Sequence, residues 1–277
     1  MITPPYLQPN DTIAIVATAR KISSGEVSFA KQWLIDQGFK VVLGKTIDLE
    51  YHQFAGTDAQ RAQDFQNAID DPNIKAIWCA RGGYGTIRML DLLDFSNFKN
   101  QPKWIVGYSD VTVLHSHLHN LGVASIHAPM PIDIENASAE AKQSLIDALT
   151  LSDYKNSFLN QYKLKGGSVG GNLSMLYSMC GSKTALDTSG KILWIEDLDE
   201  YLYHIDRMLQ NLDRNGMFAN LKALVVGAMT QMNDNSIPFG FRVEEMILEI
   251  TKKYPYPIYF NAPFGHIKDN RAVVMGR

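Results

Sequence analysis

Residues 12–18 read TIAIVAT, a short unbroken apolar run rich in β-branched side chains. Such a run suits a strand buried on both faces, which requires helices on each side of a sheet. The segments that follow alternate as that demand predicts. Residues 24–37 carry Val27, Ala30 and Leu34 at helical spacing and stop at Gly38, and residues 41–43 read as the next strand. Thr57 and Gln60 have the form of a capping box opening a helix that runs to about Asp70, ahead of Pro72. A strand over 76–80, a helix over 86–93, a strand over 104–106 and a helix from Ser109 to Gly122 continue the series. This order predicts an α/β fold whose N-terminal part is a mostly parallel sheet flanked by helices. Sheets of that kind place their sites at the carboxyl ends of strands.

The texture changes between residues 131 and 165, where a helix over 137–149 is followed by a polar, turn-rich stretch over 151–157. The expected organisation is therefore an N-terminal α/β domain over 1–135, a connecting region over 136–165, and a smaller, β-rich α/β C-terminal domain over 166–277. That second part opens with GGSVGGN at 166–172, read as a flexible interdomain turn lining a cleft, and a helix over 173–180. Strands over 192–195 and 224–226, helices over 203–211 and 242–252, and an aromatic, proline-broken segment over 254–266 complete it.

Composition narrows the function classes. A chain of 277 residues that is 45% hydrophobic and 20% charged has room for one large or two ordinary cores. Its net charge of -3 and pI near 6.2 provide no basic field for nucleic acid. The N-terminus lacks a basic stretch followed by an apolar one, and no later window approaches the length of a membrane span, so a cytoplasmic protein without a membrane partner is expected. Cys79 and Cys180 read as buried reduced thiols, and two cysteines exclude both a disulfide framework and a four-cysteine zinc site.

Several residues carry possible chemistry. Ser109, in the sequence WIVGYSDV over 104–111, falls where a strand turns into a helix, the placement of an activated nucleophile. A full G-x-S-x-G elbow would have glycine where this chain has Val111. The glycine-rich run ARGGYG over 80–85 follows a strand and opens a helix, and its backbone N–H groups suit an oxyanion or carboxylate. It fails as a dinucleotide fingerprint, because Arg88 stands where the last glycine belongs. GGSVGGN fails as a P-loop, because Asn172 and Leu173 replace the lysine and hydroxyl residue. His115 and His119 share one helical face, but Ser116 stands where a zinc hydrolase helix has glutamate, so no metal or cofactor is assigned. His127 and His266 are the better candidates for a general base. Glu196, at the end of an apolar strand, suits the carboxylate that orients an imidazole, with Asp197, Asp199 and Glu200 competing.

Taken together, ARGGYG over 80–85, GYSD over 107–110, HAPM over 127–130, GGNLS over 170–174, WIED over 194–197 and PFGH over 263–266 occur in the order and rough spacing of the LD-carboxypeptidases. The chain thus resembles that family, the serine peptidases of the muramoyl-tetrapeptide carboxypeptidase and microcin-immunity type. The resemblance implies a Ser109–Glu196–His266 triad and an oxyanion hole formed by the N–H groups of Asp110 and Gly83. It implies a homodimer with the site in a cleft, acting on a small peptide by removing a terminal D-alanine across an L,D bond of a murein tetrapeptide. An immunity-type amidase acting on peptidyl- or acyl-nucleotide compounds is the alternative within the family. Members extend past the segment matching residues 271–277, so one or two closing strands are expected beyond this sequence. A carboxypeptidase must also hold a free terminal carboxylate, for which the glycine-rich loop, Arg81 and Arg207 are candidates. Outside the family, the competing readings are a metal-dependent hydrolase on the histidine helix and a nucleotide- or sugar-phosphate-binding protein without hydrolase chemistry.

Overall fold

The computed structural model describes residues 1–277. Ten strands form one sheet: β1 (Thr12–Val16), β2 (Lys40–Leu43), β3 (Ile74–Cys79), β4 (Trp104–Gly107), β5 (Ser125–His127), β6 (Ser168–Asn172), β7 (Ile192–Leu198), β8 (Ala223–Thr230), β9 (Ile258–Tyr259) and β10 (Val273–Met275). Their order is β2-β1-β3-β4-β5-β10-β6-β7-β8-β9. Every neighbouring pair is parallel except β5 with β10, where Val273 lies opposite His127. The last strand in sequence therefore lies at the centre of the sheet, joining the first five strands to the next four.

Alternation along the strands divides side chains between the two faces. Ala14, Val16, Ile77 and Ile105 face a core of 41 buried residues that also takes in Leu193, Ile195 and Leu224. The helices Asp58–Asp70, Thr112–Leu121, Leu202–Arg214 and Val243–Thr251 cover this face. Ile13, Ile15, Trp78 and Val106 point the other way, against the helices Ser28–Asp36 and Ala139–Thr150. The apolar TIAIVAT run is thus accounted for by burial on both sides. The capping box forms as the sequence predicts, with the Gln60 N–H donating to Thr57 Oγ1 at 3.2 Å and the Thr57 N–H to Gln60 Oε1 at 2.8 Å.

One expectation is overturned. The segment at 166–172 is not a flexible turn, because residues 168–172 are the fully buried strand β6 paired along its length with β7. Its glycines lead away from strand in propensity terms, yet close approach to a neighbouring strand is what glycine permits. A methyl group on Gly170 would collide with the Trp194 backbone. Helix limits also differ at their ends. The first helix begins at Ser28 instead of 24, and the one after β3 closes at Leu90.

Candidate active site

The serine turn is built locally. β4 ends at Gly107, Tyr108 is extended, and Ser109 adopts φ +61°, the left-handed region that residues with side chains rarely occupy. A single 3-10 turn over Ser109–Val111 then leads into the helix Thr112–Leu121. This sharp, strained strand-to-helix turn has the form of a nucleophile elbow, although Val111 replaces its second glycine. Asp110 anchors it: its carboxylate is buried, and Oδ2 accepts the Thr86 N–H at 2.7 Å. Burial pushes the Asp110 carboxyl pKa up, opposed by its bonds to Thr86. This bond fixes the turn to the helix start after the ARGGYG loop. Within that loop, a methyl group on Gly82 would stand 3.1 Å from Ser109 Oγ, so the absence of a side chain there leaves space beside the hydroxyl. The Gly83 N–H makes no hydrogen bond to another backbone group.

His266 arrives from the other half of the sheet, on the loop between β9 and β10. With Nδ1 protonated, it donates to Glu196 Oε2 at 2.6 Å, and its backbone N–H donates to the same oxygen at 3.3 Å. Ser109 Oγ then donates to His266 Nε2 at 3.1 Å. Gly265 makes the approach possible. It adopts φ +101°, and a Cβ there would lie 2.5 Å from Glu196 Oε2. Its N–H donates to Asn270 Oδ1 at 2.9 Å, which holds the loop. Burial disfavours the charged imidazole, but the fully buried Glu196 carboxylate outweighs it and raises the His266 pKa above the usual histidine value of 6.5. A cavity of about 350 Å³ opens beside His266 and Tyr108, bordered by Ile132, Asp133, Lys268 and Asn270.

The competing candidates occupy other roles. Asp197 does not hydrogen-bond His266 and instead accepts from Asn172 Nδ2 at 2.9 Å, the Ser174 N–H at 2.8 Å and the Leu198 N–H at 2.9 Å. Burial, with the neighbouring Glu196 charge, pushes its pKa up to about 7. Asn172 in turn donates its backbone N–H to Thr112 Oγ1 at 3.0 Å, so this brace reaches the helix behind Ser109. Asp199 binds Asn233, and Glu200 binds His204. His127, a base candidate in the sequence, is instead packed in the core. It is fully buried, stacked 3.8 Å from the Phe264 ring, and burial holds its pKa well below the usual value. His115 is structural as well: Nδ1 meets Ser125 Oγ at 2.8 Å and Nε2 meets the Gly107 carbonyl at 2.9 Å, tying β4 to β5 just before the serine turn. Sequence reasoning missed this brace and that of Asp197, since neither has a local signature. Of the cations considered for a carboxylate, Arg81 donates to the Lys21 carbonyl at 3.2 Å, and Arg207 lies over the Tyr203 ring.

A hydroxyl, an imidazole and a carboxylate hydrogen-bonded in series at the carboxyl ends of the strands have the geometry that acyl-transfer hydrolases use. The chain belongs to the LD-carboxypeptidase family: the family model of the N-terminal domain matches residues 13–128 and that of the C-terminal domain residues 165–277. It is 35% identical to a probable murein peptide carboxypeptidase of Bacillus subtilis, over 99% of this chain and 89% of that protein. The crystal structure of a muramoyltetrapeptide carboxypeptidase from Oxalobacter formigenes superimposes with a TM-score of 0.82 at 28% identity, covering 96% of this chain and 92% of the other. The microcin C7 self-immunity protein MccF, solved with aspartyl sulfamoyl adenosine, shares the fold with a TM-score of 0.87 at 22% identity, over 100% of this chain and 94% of that one.

Proposed function

We propose that the protein is a serine carboxypeptidase that hydrolyses the L,D-peptide bond before the terminal D-alanine of murein tetrapeptides, in cell-wall peptide recycling. The observation that carries this reading is the unbroken series from Ser109 through His266 to Glu196, at 3.1 Å and 2.6 Å, in a chain of this family. In the proposed reaction, His266 Nε2 takes the Ser109 proton as Oγ attacks the scissile carbonyl carbon. Glu196 holds Nδ1 protonated and stabilises the imidazolium. The N–H groups of Gly83 and Asp110 receive the oxyanion, a role that the absence of a backbone partner for the Gly83 N–H supports. The C–N bond then breaks as His266 passes its proton to the leaving amine of D-alanine. Water, deprotonated by the same imidazole, attacks the acyl-enzyme, releasing the tripeptide acid and restoring Ser109.

The same reading takes the protein to be a cytoplasmic homodimer with two domains, over 1–135 and 166–277, joined through 136–165. The separate matches of the two family models support that division, and no helix is long and apolar enough to cross a membrane. Light scattering checks the dimer and limited proteolysis the connection. Purified protein incubated with a murein tetrapeptide should release D-alanine, and Ser109→Ala should lower that rate by roughly 10⁴-fold or more while the protein still melts cooperatively. Near-normal release by the variant contradicts the proposal. Hydrolysis of an aminoacyl sulfamoyl nucleoside, with the tetrapeptide left intact, favours the immunity-type amidase instead.

A further inference from the structure

An exopeptidase must distinguish a chain end from a peptide bond in mid-chain, and the chemical mark of a C-terminal end is its carboxylate. A guanidinium suits that task, since its planar fork meets both carboxylate oxygens. Three cations lie on the two loops that leave β1 and β3 beside the serine turn. Two are committed to other groups. Lys21 pairs with Glu50, and Arg81 donates to the Lys21 carbonyl and stands 3.9 Å from Glu26.

Arg20 differs from both. Its guanidinium has neither a carboxylate within ion-pair distance nor a hydrogen-bonding acceptor, although the backbone around it is fixed. Arg20 bridges Phe54 in an antiparallel pairing. On either side, the Lys21 N–H donates to the Gln53 carbonyl at 2.9 Å and the Ala55 N–H to the Ala19 carbonyl at 3.0 Å. Its stem lies across the glycine-rich loop, with Cγ and Cδ filling the space that a Cβ on Gly83 would take. Gly83 adopts φ +108° and carries no side chain to displace them. The next residue back, Gly82, lies so near Ser109 that a Cβ on it would stand 3.1 Å from the serine Oγ. The stem is therefore tethered on the loop beside the proposed nucleophile, and the solvent-exposed guanidinium it carries has no partner within the protein.

We infer that Arg20 binds the terminal carboxylate of the substrate and so makes the site an exopeptidase site. This rests on the carboxypeptidase reading above and deepens it: the ligand group is the α-carboxylate of the residue that leaves. Arg20 then acts in specificity, with its stem packed on Gly83 and its head on the substrate.

The test measures kcat/KM for a murein tetrapeptide ending in a free carboxylate and for the same peptide ending in a carboxamide, in the wild type, Arg20→Gln and Arg20→Lys. The wild type should prefer the free acid. In Arg20→Gln that preference should fall by roughly 30-fold, chiefly through KM for the acid, as expected for loss of a charge-assisted bond. Arg20→Lys should recover part of it, because a point charge remains without the fork. An acid-to-amide ratio in Arg20→Gln equal to that of the wild type overturns the role of Arg20 and leaves the peptidase reading standing. A wild type that cleaves neither peptide, releasing neither D-alanine nor D-alaninamide, overturns both.

Discussion

The two halves of the site are held by different means. The Ser109 turn is set by its neighbours: the left-handed φ at Ser109, the Asp110–Thr86 bond and the His115 brace between β4 and β5 all fall within residues 80–127. Glu196 and His266, the proposed acid and base, lie 70 residues apart in sequence and meet only because the end of β7 and the loop after β9 converge. Their contact depends on a glycine with room for nothing more and on the Asn270 bond that holds the loop. The proposed nucleophile is thus placed by local backbone geometry, and its hydrogen bond to the imidazole is a product of long-range packing.

That contrast can be broken most severely at Glu196. Glu196→Gln keeps the shape but removes the charge that fixes the His266 tautomer, so kcat should fall by about 10³- to 10⁴-fold with the Ser109 turn intact. The pH profile carries a sign. An imidazolium cannot accept the Ser109 proton, so activity is lost as pH falls through the His266 pKa, and Glu196 raises that pKa above 6.5. The acid limb of wild-type kcat/KM should therefore lie above that of an ordinary histidine, and in Glu196→Gln the residual activity should extend to lower pH. A limb that does not move would remove Glu196 from this role.

Gly265→Ala tests the packing side with one methyl group. The backbone there is left-handed and the new Cβ meets Glu196 Oε2, so the loop must shift. Turnover should fall by about 10- to 100-fold for strain of roughly 1–3 kcal/mol, with a lowered melting temperature. Full activity would show that the loop has more freedom than its geometry implies. The smallest effect is expected at His127→Phe. The imidazole has no hydrogen-bond partner at either nitrogen and is stacked on Phe264. An apolar ring of similar shape should change stability by less than about 1.5 kcal/mol and turnover by no more than about threefold. A large loss of turnover there would reopen the choice of base.

The same contrast explains what the sequence discloses. The alternating strands and helices, the Thr57 cap and the serine turn follow from patterns a few residues long, and the structure contains them. The six ordered motifs identified the family, which the matches over 13–128 and 165–277 establish. Choosing Glu196 over Asp197, or His266 over His127, needs the direction of a side chain in the assembled sheet, and periodicity does not encode that. Strand β6 was misread for a related reason: its glycines serve close contact with β7, which is invisible until both strands are placed. Nor is the position of β10, between β5 and β6, foreshadowed by its place at the end of the chain.

The most direct test of the account is covalent labelling of Ser109 by a fluorophosphonate, followed by peptide mass mapping in the wild type and in His266→Ala. A hydroxyl activated across the two halves predicts a single adduct at Ser109, formed at least about 100-fold more slowly without the imidazole. An adduct at another residue, or equal labelling rates in the two proteins, would contradict it.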